Sequence, residues 1–581
     1  MKKLIYLIVL IAVLGLIVSG CIPVVPSTEQ NESGTLPNKA LGDVWNVPGG
    51  YATIQLAINA ATGGEIINVA AGPYAGFTDD KGLDIRGAQY NEDPAGNLSR
   101  GDETVITSTV TLTADNASVN GFKMTSSYIC AGYPSAKNVN ISYNILENVV
   151  ATWGAIHLHG GTEECNGAYV GYNTISGAKG HGIWTVGNDN VTIEHNYVLN
   201  AAGNAIECLN HVGTGIIIRN NVISNPTGKG INYWGEAGAV IRENSISEST
   251  YEAIFTDRQA TIRGNQISGG GGYGILVANG ADNTIVSGNT ISNPSFEGIQ
   301  SDVPVTITYN DISGGSTGIQ LSNTASGSVI YGNNIHDNDY WGLAIQGLVN
   351  TVTVRNNQFT NNPYCGVVVW EDGDGSGIHI NYNEITGNGI YGVESKRTTS
   401  DVDATYNWWG HPGGPRRPAG NSDKISGPKT ADQVSENVLY HPWLSGAHSV
   451  SNIALNQAAI ASATYQSNTA TLAVDGDYNT LWNSGNYAPQ WIEIDLGKGS
   501  TVVGLRLLTA QLPVGDTTHV VLFSNDGDVI AERTFSGYTE TEQWLEAWFE
   551  APFNGVKTLR VTTTASPSWV AWYEIEVYGW Q

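Results

Sequence analysis

The chain has 581 residues and a formal net charge of −27, from 26 lysines and arginines against 53 aspartates and glutamates. That charge argues against nucleic acid and anionic membrane surfaces as partners, because both repel a negatively charged protein. It is compatible with cation binding or simply with solubility. The length exceeds what one hydrophobic core usually supports, so at least two domains are expected.

The first 21 residues form a targeting segment. Two lysines precede an apolar run from Leu4 to Val18, which is too short for a comfortable membrane span. The run ends in Ser-Gly-Cys21 and resembles the lipobox of prokaryotic lipoproteins. The resemblance implies that Cys21 is acylated and anchors the chain at the outer face of the cell membrane; an ordinary signal peptide and an uncleaved anchor are the alternatives. Residues 22–43 predict a flexible tether, because they contain Pro, Ser, Asn and Gly.

A short amphipathic helix is predicted after the tether. Ile54, residues 56–58 and Ala61 place apolar side chains on one side of it, and a strand from Glu65 to Val69 follows. The pattern TIQ…AI…A…G…I…VA…GPY resembles the entry segment of pectin-lyase-like β-helix proteins. We expect the helix to cover the open end of the repeats that follow, because that end exposes unpaired strand edges.

An Asn followed two places later by Ile, or by a residue replacing it, recurs between residues 141 and 410. It stands at positions 144, 173, 196, 221, 244, 265, 289, 310, 333, 357, 383 and 407. A second short apolar run, usually opened by Gly, follows each Asn, as in Gly182-Ile-Trp and Gly298-Ile-Gln. A period near two dozen residues, rich in β-branched runs and turn residues, indicates one supersecondary unit stacked on copies of itself.

Each repeat has room for two or three short strands and for no helix, so we predict a right-handed parallel β-helix. The Asn is expected at a tight corner, because Asn tolerates left-handed backbone geometry, and its side chains are expected to form a ladder. Both apolar runs are expected to point inward. The stretch YNWWGHPGGP from Tyr406 resembles the terminator of prokaryotic cell-surface β-helix proteins. The β-helix is therefore assigned to residues 44–446, with Trp408 and Trp409 closing its core.

One outer face of the predicted β-helix is a candidate polysaccharide groove. With the Ile inward, the next residue and the one two further on face outward, because side chains alternate along a strand. These positions hold His157, His159, Trp184, Glu207, Asn232, Trp234, Phe255 and Asp257 in successive coils, with Arg258 just beyond. Aromatic rings offer flat faces to sugars, and carboxylates with imidazoles transfer protons. A solvated outer sheet face that merely tolerates such residues is the alternative.

Glu207 is the candidate acid or base of this groove. Glu207 and Asp257 lie two coils apart, about 10 Å along the axis, near the upper separation of an inverting carboxylate pair. Alternatively, His157 removes a sugar proton while Arg258 holds a uronate carboxylate, as in a lyase. The residues predicted to contact substrate are His159, Trp184, Asn232 and Trp234.

The scaffold resembles pectin-lyase-like proteins, yet the resemblance transfers no catalytic residue. The sequence lacks the clustered aspartates of pectate lyases, the aspartate constellation of polygalacturonase-like hydrolases and the Tyr-Gly…Asp-Pro-His motif of alginate epimerases. The scaffold alone therefore does not assign a reaction to this protein. The remaining cysteines are interpreted as buried apolar residues, because no short Cys spacing occurs among Cys130, Cys165, Cys208 and Cys365.

From residue 447 the period ends, and alternating strands rich in Thr and Trp follow. Three motifs, DGDYNTLW at 475–482, WIEIDLG at 491–497 and EIEVYG at 574–579, resemble the discoidin, or coagulation factor 5/8 type C, family. The resemblance implies a β-sandwich jelly roll over residues 447–581, and many bacterial members of the family bind sugar through loops at one end. Trp569 is the candidate for stacking on a sugar ring, because it is expected in a loop flanked by Pro567 and Ser568.

The discoidin resemblance also implies a structural calcium site. Its positions fall on Asp477, Thr480 and Glu574, whose oxygen atoms are the hard ligands that Ca²⁺ prefers. Trp482 and Trp491 are expected in the core of the sandwich rather than facing a ligand.

Two functions stay open. The first is a secreted, lipid-anchored enzyme that acts on an extracellular polysaccharide by lyase or glycoside hydrolase chemistry on an acidic glycan, while the C-terminal domain holds sugar. The second is a non-catalytic surface adhesin or glycan-binding protein that uses the β-helix as a stalk. The groove-like column supports the first function, and the missing catalytic signature supports the second.

Overall fold

The computed structural model describes residues 44–132, 136–159, 165–209, 215–371, 373–416, 428–447 and 451–580. The targeting segment with Cys21 and the tether lie outside the described residues.

The chain divides after Gly446 into two compact units, the first a parallel β-helix and the second an antiparallel β-sandwich. The all-β prediction is therefore confirmed. In the described part, no helix is long and apolar enough to cross a membrane.

Three parallel sheets run the length of the first unit. Each coil contributes one strand to each sheet, because about two dozen residues make three short strands joined by turns. Sheet 1 contains Val44–Val47, Ile66–Val69, Asp84–Arg86, Ser118–Asn120, Asn140–Ser142, Tyr169–Gly171, Thr192–Glu194, Ile217–Arg219, Ala239–Arg242, Ala260–Arg263, Thr284–Ser287, Val305–Thr308, Ser328–Tyr331, Thr351–Arg355, Gly377–Asn381, Val402–Asp403 and Val438–Leu439. Sheet 2 contains Thr78–Asp79, Val110–Leu112, Ile129–Ala131, Gly154–Leu158, His181–Val186, Ile206–Leu209, Ile231–Trp234, Ile254–Thr256, Ile275–Val277, Ile299–Ser301, Thr317–Leu321, Trp341–Ile345, Cys365–Val369 and Tyr391–Ser395. Sheet 3 contains Gly72–Tyr74, Thr104–Ile106, Phe122–Thr125, Ile145–Glu147, Thr174–Ser176, Tyr197–Leu199, Val222–Ser224, Ser245–Ser247, Gln266–Ser268, Thr290–Ser292, Asp311–Ser313, Asn334–His336, Gln358–Thr360 and Glu384–Thr386.

Apolar side chains fill the bore of the β-helix. In sheet 2, Ile183, Ile206 and Ile231 pair in register on neighbouring coils and are fully buried. Burying one such side chain contributes about 1.5–3 kcal/mol, so the repeated column is the main stabilising term. The inward direction predicted for both apolar runs is confirmed, since Ile175 and Ile246 of sheet 3 are buried as well.

The recurring asparagines form the predicted ladder inside the β-helix. Asn173 shows the pattern: its Oδ1 accepts from the backbone N–H and the Nδ2 of Asn144, at 3.0 and 3.1 Å. Its Nδ2 donates to the backbone carbonyl of Ile141 at 2.9 Å and to Asn196 Oδ1 at 2.9 Å. The same bonds link each recurring Asn to the next as far as Asn407.

One detail of the corner prediction is wrong. The left-handed backbone falls on the residue before each ladder Asn, for example Tyr143, Tyr172 and His195 with φ of 57°, 56° and 55°. Asn recurs at the ladder position of each coil because its side chain makes the ladder hydrogen bonds. The position before it holds Tyr, His, Asn, Glu or Gly. The physical reason is that the Asn backbone N–H must point at the next coil to join the ladder.

Both ends of the β-helix are closed by apolar residues. The capping helix spans Ile54–Ala60 and begins at Thr53, whose side chain accepts from the Leu56 backbone N–H. Ile54 and Ile58 are buried, but Leu56 was expected on the apolar side and is half exposed. At the other end Trp409 is fully buried, as predicted. Trp408 is only partly covered.

The second unit has its own core. Its strands are Ser451–Asn452, Ala459–Ala461, Trp482–Tyr487, Gln490–Thr509, Gly515–Asn525, Asp528–Thr539, Trp544–Ala565 and Trp569–Trp580, with a short 3-10 helix at Ala470–Ala473. Trp482 and Trp572 are fully buried in it. The core assignment of Trp491 is wrong, because this ring is partly exposed under the guanidinium of Arg560.

We predict that Asn244→Ala destabilises the β-helix by several kcal/mol. The change leaves the Asn221 backbone N–H and the Ile218 carbonyl buried without their side-chain partner, and each such group costs about 1–3 kcal/mol. Asn225→Gly is the matched control, because Asn225 is exposed and has a φ of 53° that Gly adopts freely. Calorimetric unfolding of both variants measures the effect; equal losses would mean that the buried ladder contributes no more than a surface pair.

Candidate functional site

The candidate site lies on the outer face of sheet 2, between its fourth and eighth strands. The strand register pairs His157 with Trp184, Trp184 with Glu207, Glu207 with Asn232 and Asn232 with Phe255. Five side chains from five consecutive coils therefore stand in one column. Neighbouring members are one strand spacing apart, about 4.8 Å, so each can contact the next.

Trp184 is the centre of an aromatic cluster. The His157 and Trp153 rings stack on it at centroid distances of 4.6 and 5.2 Å, with interplanar angles of 8° and 13°. His157 also meets His159 edge-on at 5.6 Å. Among the described residues, His157 Nδ1 and Trp184 Nε1 have no hydrogen-bond partner. The site thus contains polar atoms beside a flat apolar surface.

The packing of His157 sets its charge. The side chain is only 3 % exposed, and burial, then His159 and His181, lower its pKa to about 3. His157 is therefore neutral at physiological pH and lies under the Trp184 ring. This position suits a supporting residue better than a base that must reach a substrate.

Glu207 is held by amide groups on both sides. It is 4 % exposed, Oε1 accepts from Asn232 Nδ2 at 2.8 Å, and Oε2 accepts from Asn204 Nδ2. Asn204 is itself fixed, because its Oδ1 accepts from the Lys229 backbone N–H at 2.7 Å. These two amide donors hold the carboxylate group of Glu207 in one orientation.

A histidine that the sequence analysis missed stands beside this carboxylate. His181 Nδ1 lies 3.8 Å from Glu207 Oε2 and accepts from the Asn204 backbone N–H at 3.1 Å. The neutral ring then carries its proton on Nε2, and burial lowers the pKa of His181, which favours that form. The ring is partly exposed and reaches Trp184 at 5.9 Å. His181 is therefore more accessible than His157.

His181 belongs to a second column that borders the first. The column stands two places before the inward Ile of each coil and holds His181, Asn204, Lys229 and Glu252 in four consecutive coils. Lys229 Nζ lies 3.5 Å from Glu252 Oε2 and 4.3 Å from the Phe255 ring centroid. The sequence contains the signal for this column, since four polar residues each stand two places before the inward Ile of their coil. The predicted groove comprised only the outward positions after the Ile, so it did not include this column.

Asp257 and Arg258 lie at the far end of the site and engage each other. Arg258 Nη1 donates to Asp257 Oδ2 at 3.0 Å, and burial raises the pKa of Asp257. Asp257 stands two strands and two residues from Glu207, about 12 Å between Cα atoms. This separation is longer than the predicted distance of about 10 Å along the axis, so the two side chains must lean towards each other to reach the roughly 6.5–9.5 Å of inverting pairs. Trp234 beside them is 47 % exposed and stacks on Phe255 at 5.7 Å.

The second unit presents an aromatic surface at one end. Trp569 begins the last strand rather than lying in a loop, and it is 40 % exposed. Its ring lies 5.3 Å from that of Tyr465. Tyr487, which is also exposed, is opposite Trp569 in the antiparallel register. The three rings form a surface on which a sugar ring could stack.

The residues expected to hold calcium lie near one another in the second unit. The Gly476 backbone N–H is 3.3 Å from both carboxylate oxygens of Glu574, and Thr480 Oγ1 donates to Asp475. Burial, then Glu576, raise the pKa of Glu574 to about 8. Glu574 is a buried carboxyl surrounded by other carboxylates, and a bound cation would offset the repulsion between their negative charges. Among the described residues, no group of three or more His, Cys, Asp or Glu side chains is placed to hold a metal.

Comparison with protein families identifies both units. A model described as "Right handed beta helix region" matches residues 96–246, 154–302 and 253–408, which together span more than half of the chain. The chain belongs to the right-handed β-helix family. A model described as "F5/8 type C domain" matches residues 458–575. The resemblances inferred from the sequence are therefore confirmed for both units, and the β-helix is right-handed.

Several solved structures are similar to part of the chain. Chitosan-binding module 1 from the chitosanase/glucanase of Paenibacillus sp. IK-5 is 29 % identical over 22 % of this chain and 99 % of that one, with a TM-score of 0.20. The family 32 carbohydrate-binding module of C. perfringens NanJ, solved with galactose, is 20 % identical over 21 % and 93 %, with a TM-score of 0.19. A fucose-binding module of Streptococcus pneumoniae is 21 % identical over 22 % and 99 %, with a TM-score of 0.20. At these TM-scores the likeness supports no conclusion about ligand. No curated protein matches the chain.

Proposed function

We propose that this protein is a secreted, lipid-anchored, carbohydrate-active enzyme. Its β-helix cleaves an extracellular polysaccharide on the outer face of sheet 2, and its C-terminal unit holds sugar. The observation that carries the proposal is Glu207, a carboxylate fixed by two amides next to the stacked rings around Trp184. Sugar rings stack on aromatic faces, and a fixed carboxylate can transfer a proton to or from them.

The chemistry that fits these contacts best is hydrolysis. Glu207 accepts hydrogen bonds on both oxygens and acts as the base that takes a proton from the attacking water. Asp257, whose pKa is raised by burial, acts as the acid that protonates the leaving oxygen. A lyase reaction fits less well, because His157 is covered by Trp184 and Arg258 is already paired with Asp257.

A non-catalytic glycan-binding protein is the second candidate. The observation in its favour is the burial of His157 and Glu207, which are 3 % and 4 % exposed. In that case the polar column stabilises the sheet face, and the aromatic surface of Tyr465, Tyr487 and Trp569 carries the binding. The two candidates differ in whether glycosidic bonds are broken.

We expect Glu207→Gln to lower kcat by about 10²–10⁴-fold, because it keeps the shape of the side chain but removes proton transfer. Trp184→Ala should instead raise KM, since a stacking surface is lost. The measurement is release of reducing ends from a panel of polysaccharides, with absorbance of unsaturated uronates recorded to detect elimination.

Glu248→Gln is the matched control for this experiment. Glu248 is an exposed carboxylate outside sheet 2, so its loss should leave turnover unchanged. Full activity in Glu207→Gln would place the chemistry elsewhere. A wild-type protein that cleaves no glycan, and whose sugar binding disappears in Trp569→Ala, would establish the non-catalytic function.

We also propose that calcium binds the C-terminal unit through Asp477, Thr480 and Glu574. The Glu574 pKa of about 8 lies above the ordinary 4.5, so between these values the folded state holds a proton that the unfolded state lacks. Stability of this unit should therefore fall as pH rises through that range. Calcium competes with the proton, so its stabilising effect should grow over the same range.

The calcium test is the melting temperature with Ca²⁺ and with EDTA at about pH 6 and pH 8.5. Calcium at a hundred times its dissociation constant adds about 2.7 kcal/mol, with the larger shift expected at the higher pH. Glu574→Gln should abolish both the calcium effect and the pH effect. If EDTA leaves the transition unchanged at both pH values, the calcium proposal fails.

The lipid anchor is proposed from the lipobox resemblance at Cys21. We expect Cys21→Ala to abolish incorporation of labelled fatty acid and to leave the protein unprocessed or released from membranes. Ser19→Ala keeps the cysteine and serves as the control. The proposal is wrong if wild type and Cys21→Ala yield the same soluble species.

A further inference from the structure

A stripe of exposed aromatic residues runs along the β-helix beside sheet 2. Its members stand three places before the inward apolar residue of their coils: Tyr251, Phe296, Tyr340 and Tyr364. Their side chains are 58 %, 51 %, 43 % and 43 % exposed. The stripe spans five strand spacings, about 24 Å, and starts on the coil that carries Phe255. We call it the aromatic stripe.

Backbone hydrogen bonds fix the spacing of the aromatic stripe. Phe296 N–H donates to Gly272 O, Ser316 N–H to Phe296 O, and Tyr340 N–H to Ser316 O, at 3.2, 2.9 and 3.0 Å. Gly272 and Ser316 thus occupy the coils between the first three rings. Tyr251, Phe296 and Tyr340 therefore recur at every second coil, about 10 Å apart.

The aromatic stripe ends at a second cluster on sheet 2, the distal patch. Trp341 and Trp370 meet at 5.7 Å and 83°, and both pack on the buried Ala344 and Val368. Tyr340 lies 5.6 Å from Trp341 and 5.2 Å from Tyr364. Small residues at the outward positions leave room there for large rings to lie against the sheet. The result is a broad aromatic surface about six strand spacings, or 29 Å, from Glu207.

Amide side chains lie on sheet 2 between the candidate site and the distal patch. Gln320 Nε2 donates to Gln300 Oε1 at 2.7 Å, and Gln346 Nε2 donates to Gln320 Oε1 at 2.9 Å. Gln300 Nε2 also donates to Ser322 Oγ at 2.7 Å. Amides and hydroxyls of this kind are the partners that sugar hydroxyls require.

The cations along this surface are paired with acids. Lys229 lies 3.5 Å from Glu252, and Lys396 lies 3.9 Å from Glu394 while covering the Trp370 ring at 3.6 Å. A polyanionic chain would gain little from such pairs and would be repelled by the net charge of −27. The surface favours a ligand without charge.

We propose that the aromatic stripe and the distal patch bind an extended, neutral, β-1,4-linked polysaccharide that runs along the helix axis away from the candidate site. The inference rests on the proposed function for the class of ligand and adds its linkage, charge and direction. Successive rings of such a chain alternate in orientation, so the same face returns at every second ring, about the spacing of two coils. A protein partner would instead require a continuous apolar area, which Gly272 and Ser316 interrupt.

The test compares binding of cellohexaose, mannohexaose and chitin hexaose with their disaccharides, by calorimetry on the full chain. Trp569→Ala serves as background, so that the C-terminal unit does not obscure the result. We expect at least one hexaose to bind tightly and its disaccharide weakly. Phe296→Ala combined with Tyr340→Ala should weaken hexaose binding by about tenfold, because two stacking surfaces are lost.

Tyr406→Asn is the control, since Tyr406 is an exposed ring outside sheet 2 at a left-handed position that Asn adopts easily. If the double variant binds like its parent while Trp184→Ala loses binding, the stripe proposal fails and the proposed function stands. If no hexaose binds, or if an anionic polygalacturonate binds better, the proposal that the aromatic stripe and the distal patch bind a neutral polysaccharide is overturned. The wild-type protein could instead form a dimer that dissociates in the double variant while sugar binding stays unchanged. That result would overturn the proposal and assign the aromatic stripe to contact between two copies of the chain.

Discussion

The register between coils is the constraint on which the rest of the β-helix depends. Each short strand contributes only a few backbone hydrogen bonds, and such strands are not stable in isolation. The Asn ladder fixes the register, because each side chain bonds both the next Asn and a backbone carbonyl of the preceding coil. A slip by one residue would turn the inward Ile column towards solvent. Stability and side-chain order therefore come from the same bonds.

The same register explains how a functional surface can be assembled from distant residues. His157, Trp184 and Glu207 are more than 20 residues apart in sequence yet stand on adjacent strands. Their spacing is set by the sheet rather than by loops, which favours a precise arrangement. The cost is that neighbouring side chains cover one another. Glu207 and His157 are consequently nearly buried, while Trp234 at the margin remains exposed.

Local sequence patterns predicted the architecture well. The Asn–Ile period predicts the path of the backbone and the apolar core, and neither of these depends on which side chains surround the outer face. The discoidin motifs predicted the second unit for a similar reason, since Trp482 of the first motif is fully buried in its core. The pattern failed for Leu56 and Trp491, whose exposure depends on which neighbours cover them. It also misplaced the left-handed corner by one residue, because hydrogen-bond direction is not visible in composition.

The sequence by itself determined the repeat, the inward apolar columns, the outward column with Glu207 and the family of each unit. Only the tertiary structure decided how these outward side chains interact. It added His181 and Asn204, placed His157 beneath Trp184, paired Asp257 with Arg258 and aligned the exposed rings of the aromatic stripe. The physical reason is that periodicity along the chain specifies which way a residue points. Its burial, its charge state and its partners depend on residues one or two coils away, and their side chains meet only once the coils are stacked.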